Sequence, residues 1–324
     1  MLDNKTITTS RFKESQIIFG HDYKILKHFN CELSKSMNLG ISSLLPNEIQ
    51  SRIEYFIQNY DIKNFLLSNT DVYIFDDNLN EWLSNQNAFF IIQTLGISDK
   101  KIANNVHEIC YPYMFNLEYR NIFTNKDRDY GFSFLNNYPR YFRIELGYYL
   151  WKAKLLDDIF YTQSLHEQEP VVHNSSIKQN NLKEFLKLLP IQHEKGMNME
   201  HDHTVTNPAF YNSYAHIYTE SEIESPVVTE KTFKPFLSGQ IPIPLACKGH
   251  LSYLKSLGFH TFDDLLGPEF DYSDSYLKMI KIKDIVKKGK RFIKEYYLEN
   301  LDKIEHNNKN LKNMHSKRLE NIKF

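Results

Sequence analysis

Cysteine is scarce in this chain of 324 residues: Cys31, Cys110 and Cys247 are the whole complement. None of them forms a CxxC pair and the count is odd, which argues against a disulfide framework and for a reducing compartment. No run of eighteen apolar residues exists, so no transmembrane helix is expected. The opening stretch MLDNKTITTSRFKESQ lacks an apolar segment and does not read as a signal peptide. Charge of one sign is not in excess either, with 39 Lys and Arg against 40 Asp and Glu. These absences together lead to the expectation of a cytoplasmic protein. What is present is apolar: 41% hydrophobic and 14% aromatic residues are enough for real cores and exclude a disordered chain. The length exceeds that of a usual single domain, so two domains are expected. Richness in Asn, Lys, Ile and Tyr resembles coding from an AT-rich bacterial or viral genome.

Along residues 1–125, a helix is expected over 44–60, with Ile49, Ile53, Phe56 and Ile57 at helical spacing after Pro46. Strands are expected at Asp71–Phe75 and Ala88–Ile92, with a helix-like stretch around Trp82 between them. Strands alternating with helices give the class α/β. A second domain is expected over 126–272, and a helical basic extension over 273–324. From residue 275 onward fourteen Lys and Arg face six Asp and Glu, about +8 against −1 for the whole chain. A solvated helix face explains such a bias, as does contact with an anionic surface.

Two segments carry chemistry. In the first, Tyr130–Leu135 reads as a strand, Asn136-Asn137-Tyr138-Pro139 as a turn, and Arg140 and Arg143 open a helix running to about Tyr161. Cations at a helix start are disfavoured by the dipole, so two of them invite an anionic partner, and solvated arginines are the alternative. In the second, Tyr214–Tyr218 reads as a strand and Thr219–Ser225 as a polar break. Thr229 then caps a helix that Gly239 stops, and Ile241–Leu245 is a continuous apolar strand suited to a parallel sheet covered on both faces. In such a βαβ unit ligands gather at the carboxyl ends of the strands and anions at the helix N-terminus. Glu230 and Lys231 stand there, although dipole compensation by the Glu beside a solvated Lys fits the local pattern equally. His193, His201 and His203 lie close together in a polar tract over 163–212, but their spacing matches no defined metal site and solvated histidines are the simpler explanation.

The order Tyr218-Thr219-Glu220-Ser221, a six-residue spacer, Val228-Thr229-Glu230-Lys231, a helix and Ile241-Pro242-Ile243-Pro244 resembles the donor-site segment of the α1,3-fucosyltransferase family. The resemblance implies a GT-B glycosyltransferase, with two Rossmann-like domains facing a cleft and inverting transfer from a nucleotide-diphosphate sugar. It places Glu230 on the sugar nucleotide and Lys231 on its diphosphate. Thr229 opens the helix, Glu220 and Ser221 line the same pocket, and Asn136 with Arg140 or Arg143 comes from the first βα unit. No metal cofactor is implied, because positive side chains and helix dipoles neutralise the leaving diphosphate. Val227 stands where the family has Tyr, and Thr219-Glu220 replaces Glu-Asn, so the donor nucleotide and sugar stay open.

Inverting transfer needs a carboxylate to take the acceptor proton. The family supplies it from the N-terminal domain, which makes Asp76, Asp77 and Glu108 the candidates, although a helix-capping Asp pair explains the first two as well. The expected acceptor is a bacterial surface glycan. The alternatives are modified phage DNA, held by the basic extension, and a non-catalytic module that only binds nucleotide sugar.

Overall fold

The computed structural model describes residues 7–9, 12–16, 25–40, 45–68, 77–94, 100–110, 127–136, 139–164, 179–191, 207–221, 223–224 and 228–317. The chain divides into two compact units, Met1–Phe115 with Met314–Phe324, and Asn116–Asn313. Each is built on its own sheet, mostly parallel in the first and wholly parallel in the second, which makes the class α/β.

The first unit holds a short antiparallel pair, β1 (Ile7–Thr9) and β2 (Phe12–Gln16), and a five-stranded sheet. That sheet comprises β3 (Ser36–Gly40), β4 (Asn64–Ser68), β5 (Phe89–Thr94), β6 (Lys100–Ala103) and β7 (Val106–Cys110), in the order β3-β4-β5-β7-β6. All neighbours are parallel except the edge strand β6, which returns antiparallel to β7. Helix α1 (Pro46–Tyr60) starts with Pro at its first position, where no N–H is needed, and Glu48 Oε2 accepts the Leu45 N–H at 2.8 Å. Its buried Ile49, Ile53 and Phe56 recur at one face and meet Phe65, Leu67, Phe90 and Ile92 of the sheet. Helix α2 (Asp77–Ser84) adds Leu79 and Leu83 to the same core. The expected strand over 71–75 lies outside the described residues.

The second unit is a four-stranded, wholly parallel sheet, β8 (Tyr130–Asn136), β9 (Ile159–Gln163), β10 (Ser213–Thr219) and β11 (Ile241–Leu245), in the order β11-β10-β8-β9. Every residue of β9, β10 and β11 is buried, as expected of parallel strands covered on both faces. Helix α3 (Tyr141–Lys152) crosses from β8 to β9, while β10 connects through α6 (Glu230–Leu237) to β11 on the other side. Between them lie α4 (Gln179–Leu186) and the single turn α5 (Ala209–Asn212). Helix α6 (Glu230–Leu237) has its last carbonyls, those of Phe236 and Leu237, taken by the Asn308 amide at 2.9 Å each. The helix expected to reach Tyr161 instead ends at Lys152. Lys154 turns the chain with φ 58°, and residues 159–163 enter the sheet as β9.

The chain then runs through α7 (His250–Ser256), α8 (Asp263–Leu266), α9 (Ser275–Lys287), α10 (Gly289–Glu299) and α11 (Leu301–Lys317). Within the second unit α9 packs against α3 and β11, and α10 against β8 and β10. The approach of α10 is close: a Cβ on Gly131 would lie 2.9 Å from the Lys290 Cα. No helix among the described residues is long and apolar enough to cross a membrane.

Candidate active site

The connections of the second sheet diverge between β8 and β10, because β8 leads to β9 on one side and β10 to β11 on the other. In open α/β sheets this switch point, at the carboxyl ends of the two strands, is where ligands bind. Asn136 ends β8, Thr219 ends β10, and Arg143 stands in the first turn of α3 beside them. The Arg143 Nε donates to Thr219 Oγ1 at 2.7 Å, and a terminal nitrogen reaches the Glu220 carbonyl at 3.4 Å. Arg143 is buried, whereas Arg140 is exposed at the N-cap of the same helix. Both polar atoms of the Asn136 amide are buried without a hydrogen-bond partner.

After β10, which ends at Thr219, the next helix is α6, which starts at Glu230. Thr229 is the N-cap, with extended backbone, and its hydroxyl accepts the Lys231 N–H at 3.3 Å. Glu220, expected to line a pocket, is fully buried with both oxygens engaged inside the protein. It accepts from Thr229 N at 3.1 Å, Thr229 Oγ1 at 2.6 Å, Ser221 N at 3.3 Å and Thr232 Oγ1. Thr232 Oγ1 also lies 3.3 Å from His250 Nε2, which contacts Tyr218 Oη at 3.0 Å. Burial drives the His250 pKa down to about 4, so the ring is neutral at pH 7.

Glu230 and Lys231 pair at 2.9 Å, with side chains 15% and 30% exposed. The Lys231 ammonium also points to Ser221 Oγ at 3.4 Å and Thr229 Oγ1 at 3.3 Å. Burial alone would raise the Glu230 pKa, but the Lys231 and Lys234 charges outweigh it and hold the carboxyl down to about 2. The arrangement sets an ammonium, on a partly exposed side chain, beside the N-terminus of an eight-residue helix, a place that favours anions.

Six of the expected residues thus converge: Arg143, Glu220, Ser221, Thr229, Glu230 and Lys231. Asn136 shares their sheet edge. Thr219, Thr232 and His250 were not expected; the Thr229-x-x-Thr232 spacing, which sets two hydroxyls on the first turn, is the one local sign of them. Glu108 is on β7 of the first unit, opposite Lys100 and Ile92 in register and half-buried. Asp77 is the first residue of α2. Asp76, His193, His201 and His203 lie outside the described residues. Among the described residues no group of three or more His, Cys, Asp or Glu is arranged to hold a metal ion.

No protein-family model matches this chain, and no curated protein does. Among solved structures, the chain is similar to a crystal structure of α1,3-fucosyltransferase at TM-score 0.36 and 12% identity, over 90% of this chain and 92% of that one. It is likewise similar to α1,3-fucosyltransferase structures with GDP-fucose, at TM-score 0.33 over 89% and 91%, and with GDP, at 0.34 over 90% and 92%, both at 12% identity. At these scores the likeness is distant and assigns neither ligand nor activity.

Proposed function

We propose that this chain is a glycosyltransferase of GT-B type that moves a sugar from a nucleoside-diphosphate donor to an acceptor hydroxyl, with inversion at the anomeric carbon. The observation that carries this reading is the position of the Glu230–Lys231 helix start at the switch point of a parallel sheet, in the residue order that resembles the α1,3-fucosyltransferase donor segment. In the reaction the acceptor oxygen forms a bond to the anomeric carbon as the bond to the diphosphate breaks. The acceptor proton passes to a carboxylate, and charge builds on the leaving diphosphate. Lys231 and the N–H groups of the α6 start neutralise that charge, with Arg143 at the adjoining helix start. Asn136, whose amide both donates and accepts, suits a hydroxyl of the donor. Asp76, Asp77 and Glu108 are the carboxylates to test as proton acceptor.

The acceptor we propose is a glycan. The exposed cations Lys287, Lys288, Lys290 and Arg291 cluster where α9 meets α10, and Lys290 adjoins Gly131 at the amino end of β8. The candidate site is at the carboxyl end of that strand, about 20 Å away for seven residues. A DNA acceptor drawn to this cluster would therefore be held at the far edge of the sheet, away from the candidate site.

The test is a thermal shift of the purified protein with GDP-, UDP-, CMP- and dTDP-sugars and their free nucleotides. A ligand that binds only the folded state raises Tm by mass action. One nucleotide should raise Tm selectively, and this rise should be lost in Lys231→Ala. A rise that persists in Lys231→Ala contradicts the donor-site assignment.

A further inference from the structure

Glu220 ends up where a ligand residue was expected, yet its carboxylate has nothing left to offer a ligand. A carboxylate accepts about four hydrogen bonds, and four protein donors already meet this one. Three of the four come from Thr229 and Thr232, so the end of β10 is tied directly to the first turn of α6 across the intervening connection. Thr232 and Tyr218 extend the tie to His250 at the start of α7.

The Thr229 hydroxyl shows what the tie does. A hydroxyl has one hydrogen to give and two lone pairs to receive. Its 2.6 Å contact with the Glu220 carboxylate, which only accepts, fixes where that hydrogen points. Both lone pairs are then turned to Lys231, and they receive its backbone N–H and its ammonium, each at 3.3 Å. One buried carboxylate thereby sets the rotor that meets both the backbone N–H and the ammonium of Lys231, the ammonium being held as well by Glu230 Oε1 at 2.9 Å and Ser221 Oγ at 3.4 Å.

We propose that Glu220 is a positioning residue: by locking the Thr229 hydroxyl and the first turn of α6, it holds the Lys231 ammonium where the donor diphosphate binds. The ligand half of this statement rests on the donor-site reading above; the locking of the helix start stands on the contacts alone. Glu220→Gln keeps the shape but sets an NH2 donor against groups that themselves donate, so the Thr229 rotor loses its direction. Affinity falls by the fraction of molecules that keep Lys231 in place, so one molecule in ten holding it means about a tenfold loss.

The experiment compares wild type, Glu220→Gln and Thr232→Val, the last removing one of the four donors without changing side-chain size. Two quantities are measured: hydrogen exchange of the backbone over residues 228–237, and binding of inorganic pyrophosphate, GDP and UDP by calorimetry. In Glu220→Gln, exchange in 228–237 should quicken while β8 and β11 keep their protection, and pyrophosphate affinity should fall about tenfold. Thr232→Val should move both in the same direction by less, and it carries the test if Glu220→Gln does not fold. Unchanged exchange over 228–237 overturns the locking role. Quickened exchange with unchanged pyrophosphate affinity overturns the positioning role and leaves Glu220 as structure only. If wild type binds none of the three ligands, the donor-site reading falls and takes the ligand half with it, while the exchange result still decides whether Glu220 holds the helix start.

Discussion

Replacing Lys231 with Met removes the cation from the Glu230 pair while keeping the length of the side chain, and the structure gives the size and pH dependence of the effect. The Glu230 carboxyl is held from its ordinary 4.5 down to about 2, although burial by itself raises it. A depression of that size corresponds to about 3 kcal/mol of folding stability. Because the folded-state pKa is the lower one, this stability is fully present above pH 4.5 and is lost as pH falls toward 2. In Lys231→Met only Lys234 and a backbone N–H hydrogen bond remain to offset burial, so the carboxyl pKa rises and most of the contribution disappears at neutral pH. With allowance for the partial exposure of Lys231, the variant should be about 2 kcal/mol less stable than wild type at pH 7, and the gap should close as pH drops through 4.5 toward 2. Urea denaturation of both proteins at pH 7, 5 and 3.5 measures this. A difference that stays constant across those pH values, or is absent at pH 7, refutes the assignment of Glu230 as a buried carboxylate held by Lys231.

Two further substitutions test the scaffold under the site. A Cβ on Gly147 of α3 would land on the Tyr161 hydroxyl, so Gly147→Ala should cost about 1–3 kcal/mol by overpacking, and adding Tyr161→Phe should recover part of the loss in Tm. Asp271 accepts from Leu251 N at 2.8 Å, Ser252 N at 2.9 Å and Ser252 Oγ at 2.7 Å at the start of α7, so Asp271→Ala should lower unfolding free energy by about 1–2 kcal/mol, measured by urea denaturation.

The parts of the site legible in the sequence are those governed by local chemistry. Thr229 reads as a cap because a hydroxyl before an apolar run satisfies the free N–H groups of a helix start, and the structure has it accepting from Lys231. Ile241–Leu245 reads as a buried parallel strand from its unbroken apolar run, and every residue of it is buried. The helix expected to reach Tyr161 shows how such reasoning fails. Leu156 and Ile159 continue the helical spacing of α3, but Ile159 to Thr162 is also an apolar run with strand residues, and pairing with β8 decides it. Strands β3 and β4 carried no expectation, since SMNLG and NFLLS are short and their burial comes from neighbours distant in sequence. The engagement of Glu220 with Thr229 and Thr232, at separations of nine and twelve residues, brings the end of β10 to the start of α6 and follows from no local pattern.

The role of Lys231 at the donor diphosphate is tested by release of nucleoside diphosphate from the nucleotide sugar that stabilises the protein, measured with a glycan acceptor for wild type and Lys231→Ala. Wild type should turn over and the variant should fall by about a hundredfold or more, the scale of losing one charge-stabilising group at a leaving diphosphate. Equal turnover by the two proteins, with both shown folded, would contradict that role.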